Sequence, residues 1–415
     1  MTDFTTGTLR DVPYSDILKS LMADIDASAA DVSEAISLPA ECYTSPEWFE
    51  FERRAIFDRE WVALGHHALI PRVGDYFSIT IMSEPLLVVR DTNAQVRVLS
   101  AICRHRGHVL GEAVGHAPGG FTCPFHGWSY ALDGSLVSAP EMNGTLPLEE
   151  LRRTQCLRTL RSEIWNGFIF VNMDGQAAPL GPRLKTLTQE VRNHRMADLG
   201  AVPTVDWPDN PWNWKLMQEN AIEPYHTHYL HHGPHNFAPS RLASFYDWND
   251  QDDGAIFHPT GFLEIDGGFN ISGKCLMPPI STLTPAERQR VMFAVVPPNL
   301  FFGAQPDVVF YFVIIPQSAD KITLRVGLLL PHESLALPTI GLLLKGTIDG
   351  ISIFNDADTI ANTKTFLGMH SRFAARTRYA PKEKTLAQFN QWLVKRYKSY
   401  AQRLATKGRE ARTLA

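Results

Sequence analysis

The chain has 415 residues, 20% charged and 44% hydrophobic, with a net charge of −5, which suits a soluble globular protein of two or three domain-sized units and offers no basic surface to nucleic acid or a membrane. Five cysteines (42, 103, 123, 156 and 275) in so long a chain exclude a disulfide framework. No apolar run reaches membrane-helix length and the start has no signal-peptide pattern, so the expected setting is the cytoplasm.

Residues 14–36 read as a polar helix. In "YTSPEWFEFERRAIFDREW" (43–61) Ser45 caps a second helix, Pro46 suits its first position, and Trp48, Phe51, Ala55 and Ile56 give it an apolar stripe. From Gly74 the period changes. Phe77, Ile79 and Ile81 alternate with Ser78 and Thr80, as in a half-buried strand, and short strands with Gly-rich turns continue to "EIWNGFIFVNMD" (163–174). Residues 46–175 are therefore expected to form a small β domain, preceded by an N-terminal helical segment (1–45). After 175–184 helical segments return. Three apolar strands bounded by prolines follow between about 291 and 330, and helices over 351–370 and 382–405 close the chain. The fold class is α+β: a small all-β domain, then a domain over 176–415 with helices packed on an antiparallel sheet.

The β domain contains Cys103-x-His105 and Cys123-x-x-His126, with 17 residues between His105 and Cys123. Two thiolates and two imidazoles suit either zinc or an iron–sulfur cluster. Zinc ribbons favour ligand pairs with two residues between them, whereas the first pair has one. Two loops that each give one Cys and one His fit a [2Fe–2S] cluster of Rieske type, with both Cys on one iron and both His on the other.

"CRHRGH…CPFHGWSY" resembles the cluster motif of Rieske non-haem iron oxygenases, large (alpha) subunits, and the resemblance extends from "SPEWFEFERRAIFDREW" to the second site described below. It implies a Rieske domain at 46–175 and a helix-grip catalytic domain at 176–415, with the 1–45 segment packed on the latter. It also implies that Trp128 packs beside the cluster, that Gly107 and Gly127 let backbone N–H groups approach the sulfurs, and that Arg106 braces the two loops.

"QENAIEPYHTHYLHHGPH" (218–235) holds five of the chain's fifteen histidines. By spacing alone, His228 and His232 could share a helical face, whereas His226 and His231 could not on a regular helix. The resemblance places iron ligands at His226 and His231, leaving His228, His232 and His235 as bystanders or pocket residues. It takes the third ligand from a late helix, at Asp358 or alternatively Asp356; Gly368-Met369, ten positions on, favours Asp358. Two neutral imidazoles and one carboxylate hold Fe(II) on one face and leave positions open for O2. The resemblance further makes Glu223 the carboxylate that links His226 to His126 of a neighbouring subunit, and Asn220 a nearby or weakly ligating amide.

No G-x-G-x-x-G follows a strand, so electrons are expected from NAD(P)H through a separate flavin reductase, with or without a ferredoxin. The resemblance implies a homotrimer, with an added beta subunit as the alternative. A small organic substrate is expected in a pocket lined from 244–250, 261–273, the strands at 293–315 and the helix around Asp358, near Phe245, Tyr246, Phe262, Glu264, Phe269 and Phe302, with Asp266 close by. These aromatics suit ring stacking or a methylated ammonium, so ring hydroxylation or monooxygenation and oxidative demethylation both stay open. The rivals are a Rieske electron-transfer protein without oxygenase activity and a zinc-stapled scaffold.

Overall fold

The computed structural model describes residues 16–413, Pro234 excepted. Its first half is three small antiparallel sheets. Strands β1 (Val62–His66), β9 (Arg161–Trp165) and β10 (Phe168–Asn172) form one, in the order β1-β10-β9. Strands β2 (Asp75–Ile81), β3 (Glu84–Arg90), β4 (Val96–Ser100) and β5 (Val114–His116) form a second, ordered β4-β3-β2-β5. The third comprises β6 (Phe121–Thr122), β7 (Ser129–Tyr130) and β8 (Leu136–Ser138).

Period-two geometry makes the second sheet a partition between two cores. Phe77, Ile79, Leu86, Val88 and Val98 enter the large core shared with the second half of the chain. Tyr76, Leu87, Val89 and Leu99 enter a separate small core with Cys103, Cys123, Trp128 and Tyr130. With both faces covered, β3 reads as the unbroken apolar run "LLVV" rather than as an alternation.

The second half is built on a seven-stranded antiparallel sheet: β11 (Gly200–Ala201), β12 (Val205–Asn210), β13 (Ile256–Gly261), β14 (Arg290–Val296), β15 (Leu300–Ala304), β16 (Val309–Ser318) and β17 (Lys321–Leu330). The order is β11-β17-β16-β15-β14-β13, with β12 also on β17. Four strands thus occupy 290–330 where the sequence suggested three. β15 is short and follows the Pro297-Pro298 pair, so its onset is hidden. Prolines do not merely bound the strands either. Pro259 lies within β13, an edge strand that tolerates the lost donor, and Pro316 lies in β16 beside a register shift.

The sheet is backed by the helices Trp214–Ile222 and Lys384–Thr413, and the helix Ile340–Met369 packs on the first of them. On its other face it meets the β1-β10-β9 sheet: Phe302 packs on Phe168 with ring centroids 6.0 Å apart, and Tyr311 meets Phe168 at 5.1 Å. Asn299 locks this junction by accepting from the Ala63 N–H at 2.8 Å and donating to the Ala63 carbonyl at 2.9 Å.

Near the start of the chain, helix covers Asp16–Asp24 and a 3-10 turn covers Ile25–Ala29. Residues 14 and 15 of the expected 14–36 helix lie outside the described residues, and 30–36 are not helical. Ile36 instead bridges to Arg378, and the Arg376 guanidinium donates to the Ser37 carbonyl at 2.6 Å. The helix Pro46–Glu52 forms as its sequence suggests, with the Ser45 side chain accepting from the Trp48 N–H at 3.2 Å. It packs against Tyr397 and Tyr400 of the last helix.

Candidate metal centres and substrate cavity

Two loops of matching construction present the four Cys/His residues. Each runs six residues from a cysteine. In the first, the Cys103 N–H donates to the His108 carbonyl at 2.8 Å; in the second, the Cys123 N–H donates to the Trp128 carbonyl at 2.7 Å. The fifth residue of each is a glycine at positive φ, Gly107 at +76° and Gly127 at +71°, a region costly for any residue with a Cβ. Their N–H groups donate to the Cys103 and Cys123 carbonyls at 3.0 and 2.9 Å, closing the turns rather than pointing at sulfur as the resemblance implied.

Both cysteines are free and buried at 2% exposure, whereas His126 is exposed and His105 half-buried. The thiol side of the site is therefore dry and the imidazole side faces outward. The two imidazoles lie 4.6 Å apart, and Trp128 stacks on His105 at 4.9 Å with the planes 6° apart. Arg106 sits over the Phe125 ring at 5.2 Å, within one turn of the second loop. Burial, the His126 imidazole and the Arg106 guanidinium lower the His105 pKa, which keeps the ring in its ligating form.

This donor set fits a [2Fe–2S] cluster. His105 Nδ1 is buried with no hydrogen-bond partner among the described residues. The sequence reading missed Tyr130. Its hydroxyl accepts the Arg104 N–H at 3.0 Å and lies 3.4 Å from Cys103 Sγ, placed to donate to a ligating thiolate.

The second site is assembled from two ends of one helical turn. The helix Trp214–Ile222 stops at Glu223, which is extended, and Pro224 follows. A short helix, Thr227–Leu230, comes next, with His226 and His231 as its two caps. Cap positions free these rings from the regular helical register, which is how a five-residue spacing brings both to one point. His228 and His232 are exposed and face each other at 6.3 Å, away from that point.

Asp358 enters from the helix Ile340–Met369. Its Oδ1 is 3.0 Å from His231 Nε2 and 3.7 Å from His226 Nε2. Donor atoms of the three residues all lie within 4.8 Å of one another, a spacing that fits a single ion. Asp356, two residues earlier, projects from a different side of the helix and is exposed. Asn220 Nδ2 donates to Asp358 Oδ1 at 3.1 Å. Glu223 folds back on His226: its Oε1 is 2.6 Å from Nδ1, and its Oε2 accepts the backbone N–H groups of Tyr225 and His226. With the proton held on Nδ1, Nε2 offers its lone pair toward Asp358. Burial opposes protonation of His226, but the Glu223 hydrogen bond and the charges of Glu223 and Asp358 outweigh it and raise the pKa.

These residues close one end of an open-mouthed cavity. Phe269 lines it as expected; Phe245, Tyr246, Phe262, Glu264 and Phe302 do not. On β15 the side chains alternate, so Phe301 faces the cavity and Phe302 the opposite junction. Phe262 packs behind Phe269 at 6.2 Å, Phe245 lies against His258 at 5.6 Å, and Tyr246 covers Phe257 at 4.7 Å. Glu264 is exposed and paired with Lys274, and Asp266 is held by Arg288 at 2.7 Å. Phe293, Phe310 and Phe312 line it from the strands at 293–315 and Phe354 from the Asp358 helix, segments expected to line it although these residues were not singled out; His258 and Thr260 on β13 were missed. Strand alternation in "VFYF" (309–312) carried the signal for Phe310 and Phe312. Burial lowers the pKa of both His235 and His258 to about 4, so both rings are neutral.

Comparison with known proteins agrees with this geometry. Residues 60–157 match the family described as Rieske [2Fe-2S] domain, and residues 194–399 match Ring hydroxylating alpha subunit (catalytic domain). The carnitine monooxygenase oxygenase subunit of Escherichia coli (strain K12) is 30% identical over 211 residues, 49% of this chain and 54% of that protein. The biphenyl 2,3-dioxygenase subunit alpha of Rhodococcus jostii (strain RHA1) is 32% identical over 206 residues, 48% of this chain and 45% of its own. The chain thus spans about half the length of the curated relatives it matches. Among solved structures, naphthalene 1,2-dioxygenase from Rhodococcus sp. superposes with a TM-score of 0.75 at 20% identity, covering 92% of this chain and 98% of that one. The quaternary ammonium Rieske monooxygenase CntA bound to L-carnitine gives 0.71 at 20% identity, covering 91% and 98%. An α+β chain with a Rieske [2Fe–2S] domain followed by a ring-hydroxylating catalytic domain, this protein belongs to the Rieske non-haem iron oxygenases as a large, alpha-type subunit.

Proposed function

We propose that the chain is a terminal oxygenase component that hydroxylates a small organic substrate with O2 and electrons from a separate flavin reductase, with or without a ferredoxin. The observation that carries this reading is the convergence of His226, His231 and Asp358 at the end of a phenylalanine-lined cavity, with Glu223 bonded to the back of His226. Cys103, His105, Cys123 and His126 would hold the cluster, and the second triad would hold Fe(II). Bound there, the two groups supply one-electron transfer and O2 activation.

The chain's own residues do the rest. Glu223 fixes the tautomer and plane of His226. Asn220 holds Asp358 with one carboxylate oxygen engaged, and the ring wall excludes water around the reacting position. Arg106 and Trp128 orient the cluster loops. The exposed His126 edge and the Glu223 segment suit electron passage between copies in a homotrimer, with a beta subunit as the alternative assembly. The free thiols are consistent with a reducing cytoplasm. Among the described residues, no helix is long and apolar enough to cross a membrane. The domain division in this reading is 1–45, 46–175 and 176–415.

The test is iron, zinc and acid-labile sulfide analysis of anaerobically purified protein, with an EPR spectrum after dithionite reduction. About three iron and two sulfide per chain with a Rieske-type signal are expected, followed by O2 uptake coupled to product when a reductase and substrate are added. Zinc without sulfide would overturn the reading. Iron in full occupancy with no O2-dependent product from aromatic or quaternary ammonium compounds would leave the electron-transfer rival in its place.

A further inference from the structure

Of the five histidines in 226–235, the triad and the cavity wall account for three, which leaves His228 and His232. Both are exposed, and neither side chain makes a hydrogen bond or ion pair among the described residues. They stand four residues apart on a helical turn that runs past the short helix Thr227–Leu230 at both ends. The Leu230 N–H donates to the His226 carbonyl at 2.8 Å, and the His235 N–H to the His231 carbonyl at 3.0 Å. At 3.6 residues per turn, this spacing sets two side chains about 40° apart, as neighbours on one face. Their rings lie 6.3 Å apart with the planes at 74°. The two pairs already read as metal ligands share that near-perpendicular setting: His226 and His231 at 5.1 Å and 76°, His105 and His126 at 4.6 Å and 77°. Closing the third pair by about 1 Å needs only side-chain rotation, which exposed residues undergo within nanoseconds.

The chemistry of the pair selects its ligand. Imidazole suits Zn(II), Cu(II) and Ni(II), whereas Mg(II) and Ca(II) take oxygen donors, and Fe(II) stands low in the usual affinity order. The carboxylates of the neighbouring iron site are engaged there, Glu223 with His226 and Asp358 with His231 and Asn220. Among the described residues, three ligating side chains converge only at the triad, so the pair is a two-ligand chelate completed by water. From these observations we propose a second metal site, on the solvent side of the turn, in which His228 and His232 chelate one divalent transition ion of the zinc or copper type separately from the His226, His231 and Asp358 centre. An ion bound there ties together the outer side of the turn whose caps are His226 and His231. The inference goes beyond the oxygenase reading and does not depend on it.

Zinc chloride is the probe, because Zn(II) has no redox chemistry with which to disturb the cluster. It is titrated calorimetrically into anaerobic holoprotein without an affinity tag, with metal and sulfide analysis before and after. Wild type is expected to take up one zinc per chain while iron and sulfide stay unchanged. His228→Gln and His232→Gln should each weaken that binding by about ten-fold or more, since losing a ligand costs at least as much as losing a ligand's own partner. The double variant should be hardly worse than either single one, because a chelate broken at one ligand has little left to lose at the other. Both positions are exposed, so the three variants should fold and keep their iron. No saturable zinc, zinc that enters only as iron leaves, binding untouched by the substitutions, or losses that add in the double variant would each overturn the inference. Failure of the oxygenase reading is distinct from these. Zinc uptake through His228 and His232 in protein that gives no O2-dependent product removes that reading and leaves this one standing.

Discussion

Replacing Lys215 with methionine should destabilise the protein strongly and loosen the iron site, although Lys215 touches neither proposed iron ligand nor cavity. Lys215 and Glu52 are both wholly buried and bonded to each other, Nζ to Oε1 at 2.8 Å and to Oε2 at 2.9 Å. The Glu52 carboxylate also accepts from Trp48 Nε1 at 3.2 Å, Trp214 Nε1 at 3.1 Å and the Tyr397 hydroxyl, while Lys215 donates to Asn213 Oδ1 at 2.7 Å. The cluster ties the helix Pro46–Glu52 and the last helix to Trp214–Ile222, which carries Asn220 and leads into Glu223. Burying the pair costs nearly as much as its attraction returns, so its presence alone adds little. Removing the cation is different, because Glu52 is then left in the core with no cationic partner. The expected loss is about 3–5 kcal/mol, which for a domain of this size lowers the first unfolding midpoint on the order of 10 °C. Differential scanning calorimetry of the holoprotein measures it, with mononuclear iron content as a second readout. The double variant Glu52→Gln/Lys215→Met should recover part of the loss, since no unpaired charge remains. A Lys215→Met midpoint within about 2 °C of wild type, or a double variant as damaged as the single one, would refute the reasoning.

Glu223→Ala frees the His226 ring and should weaken mononuclear iron binding or turnover by about 10–100-fold while leaving the cluster's EPR signal unchanged; iron titration of apoprotein measures it. Asp358→Ala should lose the mononuclear iron and keep about two iron and two sulfide per chain, whereas Asp356→Ala, on an exposed side of the same helix, should retain full iron and activity. Tyr130→Phe removes the hydroxyl placed to donate to Cys103 Sγ. Hydrogen bonds to ligand sulfur favour the more negative reduced cluster, so the reduction potential should fall by tens of millivolts, read by EPR-monitored redox titration; an unchanged potential would place the Tyr130 bond with the Arg104 backbone alone.

Local chemistry in the chain determined a good deal unaided. The Cys and His pairs and the capped start of the helix at Ser45 operate within a few residues, so their spacing states their geometry, whereas the N–H groups of Gly107 and Gly127 proved to close their turns rather than approach sulfur. Hydrophobic period separated the β half from the α+β half for the same reason. What only tertiary structure decided lies across long sequence gaps. Asp358 meets His231 from a helix more than a hundred residues away, and the choice against Asp356 depends on which side of that helix faces the cavity. Phe301 rather than Phe302 faces the cavity because β15 sits between two layers that are both apolar, and alternation alone cannot say which layer is hollow. The apolar run of β3 hides a partition between two cores. Glu52 and Lys215 read as ordinary charged residues of two amphipathic helices, because nothing local to either shows that the other, with two tryptophans and a tyrosine, will close over it.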